Sequence, residues 1–336
     1  YQDLRNLRRP ISFSGVYEYL MAIEKLVLRC LRHQDEWDFK IFRSSLHKVL
    51  NDLHEQHDSI FVEVVEELLD GVALFGSHFA SIDVRQDSRE IKRAFDAVAD
   101  QLGLNVPTTP EELFDLDAKW DGTLTDDDRV DDTLQSFRVI REIQAKNGPK
   151  GAHRYIISNC RGAMDVARVF ALARWTAFGD EKISVDIVPL FETIDDLMGA
   201  GASMNTLYSE SNYRRHLTQR GNKQTIMLGF SDGTKDGGYM SANWNIYRAK
   251  ENLTRISKLN DIDVVFFDGR GGPPARGGGN THNFYASLGQ QIASSEIQLT
   301  VQGQTISSNF GTSESAQFNI EQLITAGLEN LLLDDE

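Results

Sequence analysis

An alternation that begins near residue 79 narrows the possible folds more than any other feature of the chain. Short β-branched runs (FASIDV, RYIIS, VDIVPLF, QTIMLGFS, DVVFF and EIQLTVQG) are separated by amphipathic stretches such as residues 89–102, 163–178 and 239–258. Strands that alternate with helices build βα units and a parallel sheet. Such strands are covered on both faces, which accounts for the near-continuous apolar runs VDIVPLF and DVVFF. Six strands of this kind suit either a doubly wound sheet or most of a (β/α)8 barrel, an α/β fold in both cases.

Additional α-helices precede the alternation. In residues 16–78, Val16, Leu20, Ile23, Val27, Cys30 and Leu31 recur at three- and four-residue steps, and Ile60, Val64, Leu68, Val72 and Phe75 repeat the pattern. His33, His47, His54 and His57 are scattered on the polar faces of these helices and are not expected to bind metal. The expected organisation is a helical segment at 1–78, a barrel portion at 79–311 and a C-terminal helix at 312–336. Residues 103–135 read as a long loop or excursion, and Asp126, Asp127, Asp128, Asp131 and Asp132 as a solvated loop.

With 336 residues, 40% of them hydrophobic, the chain can bury a sizeable core. A net charge of −15 argues against a nucleic-acid binder, which needs clustered Lys and Arg. No apolar run approaches the roughly 20 residues of a membrane helix. Cys30 and Cys160 stand far apart, as expected of reduced thiols in a cytoplasmic protein. Tyr1 at the start and the charged tail Leu331–Glu336 read as ends cut from something longer.

Charged residues fall at matched places along the strands. Arg85 follows SIDV, Glu192 follows DIVPLF, Asp232 follows TIMLGFS, and Arg270 follows VVFFDG. In a parallel barrel those ends share one face, where active sites of this architecture are built. Two carboxylates suit Mg²⁺ or Mn²⁺, and two guanidinium groups suit a phosphate or carboxylate. Residues 268–282, DGRGGPPARGGGNTH, set six Gly around Arg270 and Arg276. That segment reads either as a mobile anion-closing loop or as a surface loop. In GFSDGTKDGG, Lys235 would stabilise an enolate or carboxylate oxygen, or else pair with Asp236 at the surface.

These segments resemble phosphoenolpyruvate carboxylase. The likeness rests on IDVRQDS at 82–88, RYIISNCRGAMDV at 154–166, VPLFETIDDL at 188–197, IMLGFSDGTKDGGYMSANW at 226–244, FFDGRGGPPARGGGNTH at 266–282 and LTVQGQTI at 299–306. It spans about residues 80–330 and implies the last six strands of an eight-stranded barrel. It assigns Glu192 and Asp232 to the metal, Arg85 and Arg270 to the substrate phosphate, Arg276 to bicarbonate chemistry and Lys235 a catalytic part. The implied reaction has bicarbonate attack the phosphorus of phosphoenolpyruvate, giving carboxyphosphate and the enolate of pyruvate. Carbon dioxide from carboxyphosphate then joins the enolate, giving oxaloacetate and phosphate. The resemblance further implies a homotetramer controlled by dicarboxylates.

Two departures from the family pattern stand out. Asp268 occupies the place where the family usually has His before GRGG, and a carboxylate there would pair with Arg270 or Arg276. The family's T-A-H-P-T-like segment with its catalytic His is absent from the sequence. The chain alone is therefore expected to bind metal weakly and not to turn over. Two rivals remain, another phosphoenolpyruvate- or pyruvate-utilising barrel and a decayed homologue acting as a subunit.

Overall fold

In the computed structural model, residues 15–33, 37–123, 125–179, 182–271, 281–289, 291–292, 296–301 and 303–332 are described. The chain divides into two units, Tyr1–Ile82 with Glu142–Ala152, and Asp83–Arg141 with His153–Glu336.

In the first unit, α1 (Val16–Cys30), α2 (Phe39–Gln56) and α3 (Val62–Phe75) follow one another. Asp38 caps α2 by accepting hydrogen bonds from Lys40 N and Ile41 N. The helices share a core of Val16, Leu20, Ile23, Leu46, Val49, Leu53, Val62 and Val65. The seam of α3 meets the sequence expectation at Leu68 and Val72, which pack against this core, and departs from it elsewhere. Val65 is buried where Val64 was expected, and Ile60 and Phe75 are exposed. The helix begins only at Val62, so Ile60 precedes the periodic part.

The second unit carries a six-stranded parallel sheet in chain order: β1 (Asp83–Asp87), β2 (Arg154–Ser158), β3 (Asp186–Phe191), β4 (Lys223–Leu228), β5 (Asp263–Gly271) and β6 (Ile297–Val301). Sequential order is the winding of a barrel, whereas a doubly wound sheet reverses direction part-way. The strands form a curled half-barrel, an α/β fold in keeping with an incomplete (β/α)8 barrel. Helices fill the crossovers: α4 (Ser88–Gln101), α5 (Pro110–Asp115) and α6 (Asp128–Asn147) after β1, and α7 (Ala163–Ala173) after β2. Then come α8 (Ile194–Ser209) and α9 (Ser211–Gln219) after β3, α10 (Ser231–Leu259) after β4, and α11 (Thr281–Ala286) after β5. Past β6 follow α12 (Gly303–Phe310) and α13 (Ser313–Leu332). No described helix is long and apolar enough to cross a membrane.

Two expectations are corrected here. Strand β1 starts at Asp83, not at Phe79, because only Asp83–Asp87 pair with Arg154–Ser158. Residues 103–135 are not one long loop. Thr109 caps α5 with Pro110 in its first turn, an arrangement helix starts favour. In the acidic stretch Asp127 accepts from Arg129 N at the start of α6, while Asp131 accepts from Thr125 N and Oγ1. These carboxylates begin a helix, where its dipole favours them.

The curl is carried by side chains on the inner face. Ile156, Val188, Leu190 and Met227 form an inner cluster with Phe267 packed against it. On β2, the Arg154 guanidinium lies 3.1 Å from Asp83 of β1 and donates at 3.1 Å to Gln298 of β6, and it stands 5.8 Å from the Phe267 ring centroid. In a flat sheet β2 and β6 would stand roughly 19 Å apart, beyond the reach of two side chains. Pro189 contributes to the break in pairing at β3. It has no N–H, and the β3–β4 register consists only of Leu190↔Met227 and Phe191↔Leu228.

Outside the sheet, His216 of α9 is buried edge-on to Phe170, 5.7 Å between ring centroids. Burial, reinforced by Arg220, pushes its pKa down from 6.5 to about 4. The ring is neutral in the folded chain and protonates more readily when unfolded. Its stabilising share is therefore complete above pH 6.5 and lost as pH falls towards 4.

Two measurements follow. Arg154→Met, which keeps the apolar stem and removes the fork, lowers the unfolding free energy in urea by about 2 kcal/mol, a reduced version of a fully buried pair. Between pH 6.5 and 4 the wild-type unfolding free energy in urea falls more steeply than that of His216→Leu, the difference being on the order of 3 kcal/mol.

Candidate active site

Side chains alternate across a strand, so the inward Ile156 and Leu190 fix what their neighbours do. Arg85 is in register with Ile156, and Glu192 lies two residues past Leu190. Both thus belong to the inner face at the carboxyl end of the sheet. There the Arg85 guanidinium donates to Glu192 Oε1 at 3.1 Å, joining β1 to the residue after β3. Arg85 sits within β1, two residues before the strand ends, because the strand runs on to Asp87. Its side chain is 49% exposed and that of Glu192 17%.

The other oxygen of Glu192 is held by the backbone. Oε2 accepts from Asn159 N at 2.8 Å. Behind Asn159, Arg161 N donates to Asp165 Oδ2 at 2.9 Å, and the Arg161 side chain donates to Asp196 Oδ1 at 3.0 Å. Asp165 sits against Arg168 as well, yet burial raises its pKa overall. Thr193, next to Glu192, caps α8 in a reciprocal box with Asp196. Cys160 is buried and its thiol is pushed up by desolvation and by Asp165, so it is no nucleophile here.

Asp232 is placed at backbone level in the first turn of α10, and its side chain lies outside the described part. The segment that carries it packs on Glu192. A methyl group at Gly229 would stand 3.1 Å from both Cα and Cγ of Glu192, and one at Gly233 would stand 3.5 Å from its carbonyl oxygen. Gly at 229 therefore permits an approach that a Cβ would push back by a few tenths of an ångström. After this turn α10 is broken at Gly238, which is non-helical with φ 78°. Lys235, in the same turn, is exposed.

Glu192 offers a hard carboxylate, the donor type that divalent ions such as Mg²⁺ take, fixed through one oxygen and sharing the other with a half-exposed guanidinium. Among the described residues no group of three or more His, Cys, Asp or Glu that could hold a metal is assembled.

Arg270 lies in β5 within a register shift: Asp268↔Leu299 is followed by Gly271↔Val301, a bulge of one extra residue. Its side chain lies outside the described part, and Arg276 lies outside the described residues altogether.

Asp268 faces away from the inner surface, since its neighbour Phe267 points in. Its Oδ2 accepts from Lys250 Nζ of α10 at 2.8 Å and from the Tyr285 hydroxyl of α11 at 2.8 Å. The Lys250 and Asp268 side chains are only 1% and 5% exposed. The ammonium also stands 5.2 Å from the Phe266 ring centroid and 5.1 Å from that of Phe284, within cation–π range. Sequence reasoning had no route to Lys250 or Tyr285, which lie 18 and 17 residues from Asp268. A lone Lys on the apolar side of a long helix is the signal that was present.

A model of the phosphoenolpyruvate carboxylase family matches residues 31–336. The chain is 31% identical over 325 residues to a phosphoenolpyruvate carboxylase of Gloeobacter violaceus, covering 90% of this chain and 34% of that protein. Against one from Nitrosomonas europaea it is 33% identical over 293 residues, 82% of this chain and 31% of the relative. Against one from Prochlorococcus marinus (strain AS9601) it is 30% identical over 340 residues, 94% and 33% respectively. The chain spans about a third of the length of these curated relatives.

The Lys250–Asp268 contact yields a direct expectation for stability. Lys250→Met strands a buried carboxylate and costs about 3–5 kcal/mol in urea unfolding, whereas Lys250→Met with Asp268→Asn recovers most of the loss.

Proposed function

Since the chain belongs to the phosphoenolpyruvate carboxylase family, we propose that the protein carrying it joins bicarbonate to phosphoenolpyruvate, giving oxaloacetate and phosphate. The observation that carries this reading is the Arg85–Glu192 contact on the inner face, 3.1 Å long. It sets a phosphate-type binder beside a metal-type carboxylate at the strand ends where barrel enzymes work.

Each residue has a part in the proposed reaction. Arg85 keeps one N–H on Glu192 and turns the rest of its fork to the substrate phosphate. Arg270, at the bulge of β5, would grip the same group, and Arg276 would serve bicarbonate. Glu192 and Asp232 would hold Mg²⁺ or Mn²⁺, which when bound supplies positive charge to developing oxyanions. Lys235 adds a cation from the turn that bears Asp232. Asp268 acts through its hold on Lys250 and Tyr285, behind the strand that bears Arg270. A carboxylate so neutralised and so turned puts no negative charge into the mouth, which weakens the reading of a decayed homologue. Cytoplasmic location, control by dicarboxylates and a homotetramer complete the proposal, on the strength of the family resemblance.

The test is oxaloacetate formation by the protein at its full length, coupled to malate dehydrogenase. Activity should require both bicarbonate and a divalent ion. Arg85→Ala should raise KM for phosphoenolpyruvate by about tenfold or more, and Glu192→Ala should lower kcat by about 100-fold. The 336-residue chain alone should not turn over. Phosphoryl transfer that ignores bicarbonate would instead favour another phosphoenolpyruvate-utilising enzyme.

A further inference from the structure

Asn159 is one of the few non-glycine residues with a left-handed backbone, at φ 54°. Asn tolerates that conformation better than most residues, because its short polar side chain bonds locally. The turn it makes at the end of β2 has one clear product. Its N–H leaves the strand ladder and donates to Glu192 Oε2 at 2.8 Å. The next residue returns to the ladder, with Cys160 N donating to Leu190 O at 3.3 Å.

Everything around Asn159 fixes that aim. Its carbonyl accepts from the Ser88 hydroxyl at 2.7 Å, and its side chain hydrogen-bonds Asp87, the cap of α4. Asp165 and Asp196 hold Arg161, two residues on. A peptide N–H held from both sides gives Glu192 one preferred rotamer, with Oε2 bound and Oε1 directed to Arg85. A carboxylate that must ligate an ion through a chosen oxygen needs such support.

We propose that Asn159 is a positioning residue whose left-handed backbone locks Glu192, the carboxylate that would hold a divalent cation. The inference rests on the metal role of Glu192 given above. It differs from that reading in assigning the geometry to a backbone donor on the neighbouring strand.

The experiment reads the Asn159 amide by NMR in the 336-residue chain, and uses Mn²⁺ as the probe, read by water-proton relaxation, on the protein at its full length. The Asn159 amide signal should move strongly upfield in Glu192→Ala. Asn159→Gly keeps both the N–H and free access to positive φ, so its Mn²⁺ affinity should stay within about threefold of wild type. Asn159→Val, for which positive φ is a severe outlier, should weaken Mn²⁺ binding about tenfold at a temperature where it is folded, with Asn159→Ala between. A merely structural role would lower the melting point and leave the Mn²⁺ affinity of the folded variants unchanged. That result, or an Asn159 amide indifferent to Glu192→Ala, overturns the proposal. If the amide responds but millimolar Mn²⁺ leaves the wild-type relaxation unaltered, the positioning of Glu192 stands and the metal reading of the site fails.

Discussion

The side chain of Arg154 reaches across the curl of the sheet, from β2 to Asp83 of β1 and to Gln298 of β6. That span is possible only because parallel strands taken in chain order roll up with the natural twist of a sheet. Rolling has a second effect at the carboxyl ends. Residues on strands that do not pair, such as Arg85 on β1 and Glu192 after β3, come to face each other across a concave rim. A flat sheet of the same strands would leave them two strand spacings apart, roughly 10 Å. The inner cluster of Ile156, Val188, Leu190 and Met227 thus does more than bury apolar area. It sets the curvature on which the polar contacts at the rim depend.

Rigidity at this rim comes from the short distance between each strand end and the helix that follows. Asp87 ends β1 and caps α4 at once, with Arg89 paired to it and its pKa lowered in consequence. Thr193 caps α8 immediately after Glu192. Asp268 ties β5 to α10 and α11 from the outer face. Side chains meant for chemistry are therefore flanked by groups whose own bonds are already satisfied, so little freedom is left to lose when a ligand arrives.

How much of this was legible follows from what each part depends on. Strands β2 and β3 could be read because burial on both faces imposes a run of apolar residues, and RYIIS matches β2 residue for residue. The start of β1 could not, since Phe79 and Ile82 look like strand residues but are exposed and lie outside the ladder. Residues 103–135 misled because Pro, Asp and Thr break helices when interior and begin them at the first turn. At the site, the motifs pointed to Arg85 and Glu192, and the structure brings those two together. Asn159 was invisible because its contribution is a backbone N–H and a dihedral angle, to which no residue type is specific. Lys250 was hidden by distance along the chain.

The acidity of the chain has to be reconciled with the anionic substrate proposed for it. Asp and Glu outnumber Lys and Arg by 50 to 35, a balance that repels anions at long range. Salt screens such repulsion over about 10 Å at 0.1 M, whereas contacts at the rim act over a few ångströms in a partly desolvated setting. Much of the acid is, moreover, engaged far from the rim. Asp127 and Asp131 begin α6, Asp186 holds Arg220 at the opposite end of β3, and Glu296 holds Lys223 at 2.6 Å where β4 begins. Near the rim, Asp165 and Asp196 answer Arg161 and Arg168, and Asp268 answers Lys250. Among the described carboxylates just named, Glu192 is the exception: of its two oxygens one meets a peptide N–H and the other a guanidinium that is half open to solvent. An ion pair left partly exposed at the focus of a curled sheet is poorly justified as a stabilising contact. It makes sense as a place where charges can be exchanged, which is what binding a cation and an anion side by side requires.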